Sequence, residues 1–333
     1  MADKKIKGAK SVWLLASAIA LVVLLPSVAR AQLDTVKLGD LSAISNAAIY
    51  IAVEKGYFRE QGIQNDISTF ASAAKMVPAL VAGELEVSVG AASAGLFNAI
   101  AQGASFRIVA DKGQAREGTG FSLLTVRKDL LDSGQVKSVK DLKGKKVSIL
   151  AKGIIQDYLL DKMAEEVGLG IKDFEIAYLA GPNQFTAYET KAIDAAYAVE
   201  PWAARFEEKK LAVRFRSPDQ VKGLGPVQVA VIIYSGKFIK ERRPVAQRWM
   251  NAYIKAAEYF HKRGTKDPEI TAILEKYTKV PAPVIKVATP HYQEPNGRMI
   301  LASLADQIEW FLKNGYMPRK VSIENAVDLS FLK

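Results

Sequence analysis

The 333-residue sequence predicts an α/β protein of two similar lobes joined by two crossing strands. Three observations predict it. The chain beyond its N-terminal leader exceeds a comfortable single core. Short β-branched runs alternate with longer segments of helical period. After Phe121–Arg127 the alternation restarts, so the second half reprises the first.

The leader comes first. Lys4, Lys5, Lys7 and Lys10 precede an uncharged run from Ser11 to Val28 and the small-residue stretch Ala29-Arg30-Ala31, the layout of a cleavable signal peptide. Its strongly apolar core, Val12 to Leu25, is shorter than the roughly 20 residues of a membrane span. Cleavage near Ala31 leaves 302 residues beginning at Gln32. The absence of cysteine removes disulfides, a thiolate nucleophile and the acceptor for a lipid anchor. The expected compartment is a periplasm. Taking the leader's five basic and one acidic residues from 46 and 35 leaves a net charge of +7. The basic clusters at Lys143, Lys145 and Lys146, at Lys209 and Lys210, and at Arg242 and Arg243 lack interleaved aromatics. They read as solvated faces, and no nucleic-acid partner is expected.

The first lobe begins with a strand at Val36–Leu38, a helix over about 47–55, a strand at Ile67–Phe70 and a helix over about 75–82. It continues with a strand at Val87–Val89, a helix over about 95–101 and a strand at Arg107–Ala110. Phe121–Arg127 reads as a strand leaving that lobe. The second lobe follows as a strand at Lys146–Leu150, a helix at Gln156–Val167, a strand at Glu175–Tyr178, a helix over about 184–190 and a strand at Ala195–Val199. A shift of 108 positions lays Gly62-Ile63 on Gly170-Ile171 and Leu85-Glu86-Val87 on Ile193-Asp194-Ala195 without a gap. Glu86 and Asp194 then hold equivalent turns, where a structural role is expected. Val227–Tyr234 crosses back, and helices over 244–262, 268–277 and 297–314 close the chain. The expected division is 32–124 with 228–333 for lobe 1 and 125–227 for lobe 2.

Ligands of open parallel sheets gather beyond the carboxyl ends of the strands. The candidate loops are therefore 39–46, 71–74, 90–94 and 111–119 in the first lobe, and 151–155, 179–183 and 200–202 in the second. From them and the adjoining helix start come the expected ligand contacts Ser45, Asn46, Ser72, Ser93, Lys112, Gln114, Gln156, Asn183, Glu200 and Trp202. This is a set for recognition: hydroxyls, amides, one cation, one anion and one flat apolar ring. The 108-residue shift sets Ser93-Ala94 opposite Pro201-Trp202 across the cleft. With only His261 and His291 present, a histidine triad or multi-histidine metal site lacks parts. Gly39, Gly83, Gly90, Gly95 and Gly103 form neither a phosphate loop nor a dinucleotide fingerprint. No catalytic residue, metal or cofactor is expected.

Five segments carry a family resemblance: Ala52-Val53-Glu54-Lys55-Gly56-Tyr57-Phe58, Ala79 through Val87, Val139 through Val147, Ala192-Ile193-Asp194-Ala195 and Glu200-Pro201-Trp202. In this order the chain resembles the SsuA/THI5-like periplasmic substrate-binding proteins of ABC importers, whose members bind nitrate, sulfonates, taurine and pyrimidine precursors of thiamine. The resemblance implies a type II periplasmic-binding-protein fold, a monomer, closure of two lobes on a small molecule, and docking on an inner-membrane permease powered by a cytoplasmic ATPase. At Ala151-Lys152-Gly153-Ile154-Ile155 the sequence departs from oxyanion-binding relatives, which usually carry Ser or Thr after this glycine. Two isoleucines cannot donate side-chain hydrogen bonds, although the backbone N–H groups at that helix start are expected to remain available. The departure favours a larger, partly apolar or heteroaromatic ligand over an alkanesulfonate, taurine or nitrate. If Lys112 and Glu200 both face the cleft, a zwitterion or polar neutral molecule fits. The resemblance extends to a pyrimidine synthase and a cysteine-dependent desulfinase, but both need cysteines absent here. An exported ligand sensor would need the same cleft as a transport component.

Overall fold

A computed structural model describes residues 32–332. The expected signal peptide and its cleavage site lie outside the described residues.

Ten strands form two five-stranded sheets of identical plan. The first runs β2 (Ile63–Thr69), β1 (Asp34–Asp40), β3 (Val87–Gly90), β10 (Val227–Tyr234) and β4 (Arg107–Ala115). The second runs β7 (Glu175–Tyr178), β6 (Lys146–Ile149), β8 (Ala195–Val199), β5 (Ser122–Arg127) and β9 (Ala212–Arg216). In each sheet the fourth strand is antiparallel to both neighbours, and in each it is the strand that has just crossed from the other lobe. The chain changes sheet through 116–121 and returns through 217–226. Phe121–Arg127, read from sequence as leaving the first lobe, lies in the second sheet from Ser122 onward, so a boundary at 124/125 would cut β5.

The internal repeat has a concrete hydrogen-bond basis. Glu86, just before β3, accepts the Lys37 N–H at 3.0 Å through its carboxylate and donates its own N–H to the Lys37 carbonyl. Asp194, just before β8, does the same with Lys146, again at 3.0 Å. Each acid pins the start of one strand to its neighbour, which explains why an acid stands at both positions.

Patterning explains the layers. All eight residues of β10 are buried, as an apolar strand covered on both faces requires. Trp249, Tyr253 and Phe260 of the Arg243–Arg263 helix bury one side against the apolar Ala47–Glu54 helix on one face of the first sheet. A smaller cluster around Tyr188 and Phe206 covers one face of the second sheet. The third cluster is continuous between the lobes, through Leu159 and Tyr158 of the Ile155–Glu165 helix and Ile308 and Phe311 of the Leu301–Lys313 helix. Two charge-assisted hydrogen bonds stitch these helices: Tyr158 to Asp306 at 2.5 Å and the Trp310 indole to Asp161 at 2.6 Å.

Two expectations fail locally. Asp111–Ala115, read as loop, continue β4 with every residue buried. Their polar side chains suggested exposure, but each finds an internal partner. Strand β9 was not foreseen because its arginines, Arg214 and Arg216, alternate on a short edge strand and pair with Glu207 and Glu166. Among the described residues no helix is long and apolar enough to cross a membrane.

Candidate functional site

A cleft of about 330 Å³ opens where the carboxyl ends of the parallel strands of both sheets meet. The first lobe contributes the turns after β1, β2 and β3. The second contributes those after β6, β7 and β8. Pocket-forming loops from both halves thus converge on one space, the position expected for a ligand of open α/β sheets.

On the first-lobe side Lys112 is only 1% exposed. Its ammonium donates to Ser45 Oγ at 2.9 Å and Asn46 Oδ1 at 2.6 Å. Asn46 in turn donates to Asp40, which also accepts the Ser42 N–H and the Tyr50 hydroxyl, both at 2.9 Å. Asn46 is therefore the spacer between a buried cation and a buried anion. Burial lowers the Lys112 pKa to about 8 against the upward pull of Asp40 and Asp111.

On the second-lobe side, the Ile155–Glu165 helix starts without a side-chain cap from Ile154. Asp157 reaches back instead and accepts the N–H groups of Gly153 at 2.8 Å and Ile154 at 3.0 Å. The Gly153 and Ile154 amides, which precede the helix, are thereby taken, whereas the Ile155 and Gln156 amides of its first turn have no hydrogen-bond partner among the described residues. Gln156 accepts the Leu150 N–H at 3.0 Å and donates to Ser122 Oγ at 3.2 Å, both within the cleft wall. Trp202 begins its helix half-buried and lies directly over Gly181, where a Cβ would stand 2.4 Å from the indole nitrogen. One helical turn on, the Arg205 guanidinium sits 4.7 Å from the Trp202 ring centre. The acids of its own helix pair elsewhere, Glu207 with Arg214 and Glu208 with Lys209.

Glu200 overturns the idea of opposite polarities. Its carboxylate is fully buried and accepts the Thr289 N–H at 2.8 Å, the Thr289 hydroxyl at 2.9 Å and the Ala204 N–H at 3.0 Å, with Arg214 Nε at 3.2 Å. Desolvation raises its pKa, with Arg214 the largest opposing influence. The group ties β8 to the C-terminal segment and has little capacity left for a ligand.

Of the ten expected contacts, the structure brings Ser45, Ser72, Lys112, Gln156, Glu200 and Trp202 to the cleft wall. The other four go elsewhere. Asn46 stands behind Lys112. Ser93 accepts the Leu96 N–H as a helix cap. Gln114 donates to the Arg298 carbonyl and accepts from Arg116 Nε, held near the end of β4. Asn183 is exposed on its helix. Nor does the Ser93 turn face Trp202: Ala94 donates to the Gly153 carbonyl at 2.8 Å and Ser93 pairs with Ile154, while the Glu200 turn faces Thr289. Sequence reasoning missed Arg205, whose only signal was its place one turn after Trp202. It also missed Thr278 and Val280, which reach the cleft from the C-terminal region.

The NMT1/THI5-like family profile matches residues 44–266. A Brucella abortus protein, provisionally named a binding protein, is 30% identical over 185 residues, 55% of this chain and 53% of that one. The chain thus spans about half the length of such relatives in these matches. Among solved structures, the alkanesulfonate-binding protein SsuA from Xanthomonas axonopodis pv. citri, bound to MOPS, superposes with a TM-score of 0.74. It is 19% identical, over 89% of this chain and 98% of that one. The desulfurization enzyme DSZB superposes with a TM-score of 0.64 at 14% identity, over 90% and 97%. These likenesses are to the two-lobed fold. With two thirds of its length matched by the family profile, the chain belongs to the NMT1/THI5-like family.

Proposed function

We propose that this chain is the exported solute-binding component of an ABC-type importer, which holds one small organic molecule between its lobes and presents it to an inner-membrane permease. The observation that carries this reading is the cleft itself: one space walled by the strand-end turns of both sheets, with hydroxyls, a buried ammonium and aromatic rings on its surface. Closure turns about the two connections at 116–121 and 217–226, and the N-terminal leader delivers the protein to the periplasm. The relative named a binding protein and the fold of the sulfonate-binding protein support the same reading.

An enzyme on this scaffold is the reading that DSZB keeps in view. The cleft wall offers it little. His291 is buried against Phe260 at 4.6 Å between ring centres, its pKa lowered to about 3 chiefly by desolvation. Glu200 is consumed structurally, and the chain has no cysteine. A sensor role would use the same cleft, and neighbouring permease and ATPase genes decide between the two.

A thermal-shift screen of the purified, refolded protein against organic acids, sulfonates, nitrate, pyrimidines, amines and amino acids tests the binding role. A true ligand at about a hundred times its dissociation constant adds roughly 2.7 kcal/mol, a shift of several degrees. Silence across a broad panel would count against binding.

A further inference from the structure

We propose that the solute is a flat organic acid, an aromatic ring carrying one carboxylate, with its head toward Ser45, Ser72 and Lys112 and its ring toward Trp202. The inference rests on the binding-protein reading above and names the substrate class of that same cleft.

Size is the first argument. At about 330 Å³ the cleft falls in the range of organic-ligand pockets, roughly 300–1,000 Å³. A nitrate or a two-carbon sulfonate leaves most of that space to solvent, whereas one or two fused rings fill it. The walls are the second. Phe70, Phe121, Leu150, Ile154, Ile155 and Trp202 present apolar surface, which a charged group alone would not need.

Polarity is the third argument, and it rests on a count of donors and acceptors. Lys112 has three N–H bonds and donates two of them, to Ser45 and Asn46. Ser45 accepts from Lys112, so its own O–H points elsewhere. Ser72 and Arg205 add further donors on the cleft wall. The one carboxylate of the wall, Glu200, is taken by Thr289, Ala204 and Arg214. A cationic solute would therefore meet two cations and no free anion, while the carboxylate of an acid meets the Lys112 ammonium.

The shape of the head follows from what the second lobe withholds. A tetrahedral sulfonate has three oxygens to satisfy, and a helix start is the usual supplier of donors. Here Asp157 occupies the Gly153 and Ile154 amides and the adjoining side chains are isoleucines, so the helix start offers only the Ile155 and Gln156 amides and no hydroxyl. A planar carboxylate asks for fewer donors than a sulfonate, which matches a Lys-Ser-Ser head site.

Calorimetry on the purified, refolded protein tests this with 2-naphthoate and benzoate set against 2-naphthamide, naphthylmethylamine and 2-naphthalenesulfonate. The expected result is saturable binding of at least one acid, ten-fold or more tighter than its amide and than the sulfonate, with none for the amine. Lys112→Met weakens the acid about ten-fold or more, Arg205→Met, at the ring end, weakens it less, and melting curves report whether Lys112→Met still folds. The comparison of acid with amide on the unsubstituted protein needs no variant and keeps the test decisive should Lys112→Met unfold. Trp202→Phe removes any quenching of tryptophan emission that the ring causes. Amide or amine binding as tight as the acid, or sulfonate binding tighter, overturns the acid while leaving the binding role intact. So does failure of all these probes when the wider screen finds another solute. Failure of every class in both experiments removes the binding role itself.

Discussion

At the scale of single residues, polar side chains at strand ends marked turns that line the cleft, but their partners decided their roles. Lys112 and Glu200 look equivalent in sequence, one cation and one anion after a strand. Folding spends Glu200 on three backbone and side-chain donors and leaves Lys112 with an uncommitted N–H. His291 shows the same lesson in reverse, for its ring lies between Phe260 and Phe121 with neither nitrogen bonded to protein. Desolvation, and then the charge of Lys112, lower its pKa from 6.5 to about 3. The folded protein then binds fewer protons than the unfolded chain at acid pH. The neutral ring costs nothing above about pH 6.5, and stability falls as pH drops from there toward about 3. His291→Phe should flatten this acid limb while leaving stability at pH 7.5 equal or higher. Urea melts from pH 4 to 8 check it, and a variant whose pH slope matches the wild type would refute the assignment.

At the scale of elements, the sheets were largely legible and the clasps between them were not. Short β-branched runs marked nine of the ten strands near their observed places, because strands of these covered sheets carry recognisable apolar runs. Strand β9 escaped because five residues carrying two arginines make too short a run to stand out, and the second half of β4 escaped because Asp111, Lys112 and Gln114 mimic a loop. Contacts between distant elements leave no local pattern, which is why the Glu200 clasp and the Ser93–Ile154 pairing could not be read in advance. The clasp joins the β8 turn to the C-terminal segment some ninety residues away. Glu200→Gln replaces a charged acceptor by an amide facing the Ala204 N–H, and should lower stability by about 1.5–3 kcal/mol. Denaturant titration measures this, and a loss under 0.5 kcal/mol would show that the clasp carries no weight.

At the scale of the whole molecule, repetition is the organising fact. Two sheets of the same strand order, each begun by an acid pinning two strands together, place equivalent turns around one cleft. The 108-residue repeat made that architecture visible in the sequence. Which turns meet across the cleft depended on the relative rotation of the lobes, a long-range property that no window of sequence contains. The site was accordingly half legible: six of ten expected residues line it, and Arg205 with the Thr278–Val280 stretch joins them unannounced.

The central claim is that one solute is held by both lobes at once. Hydrogen exchange followed by mass spectrometry, with and without the solute found by screening, tests it most directly. Protection of 41–45 and 70–73 together with 150–156 and 199–205 is the predicted result. Protection confined to one lobe, or located away from these turns, would contradict the account.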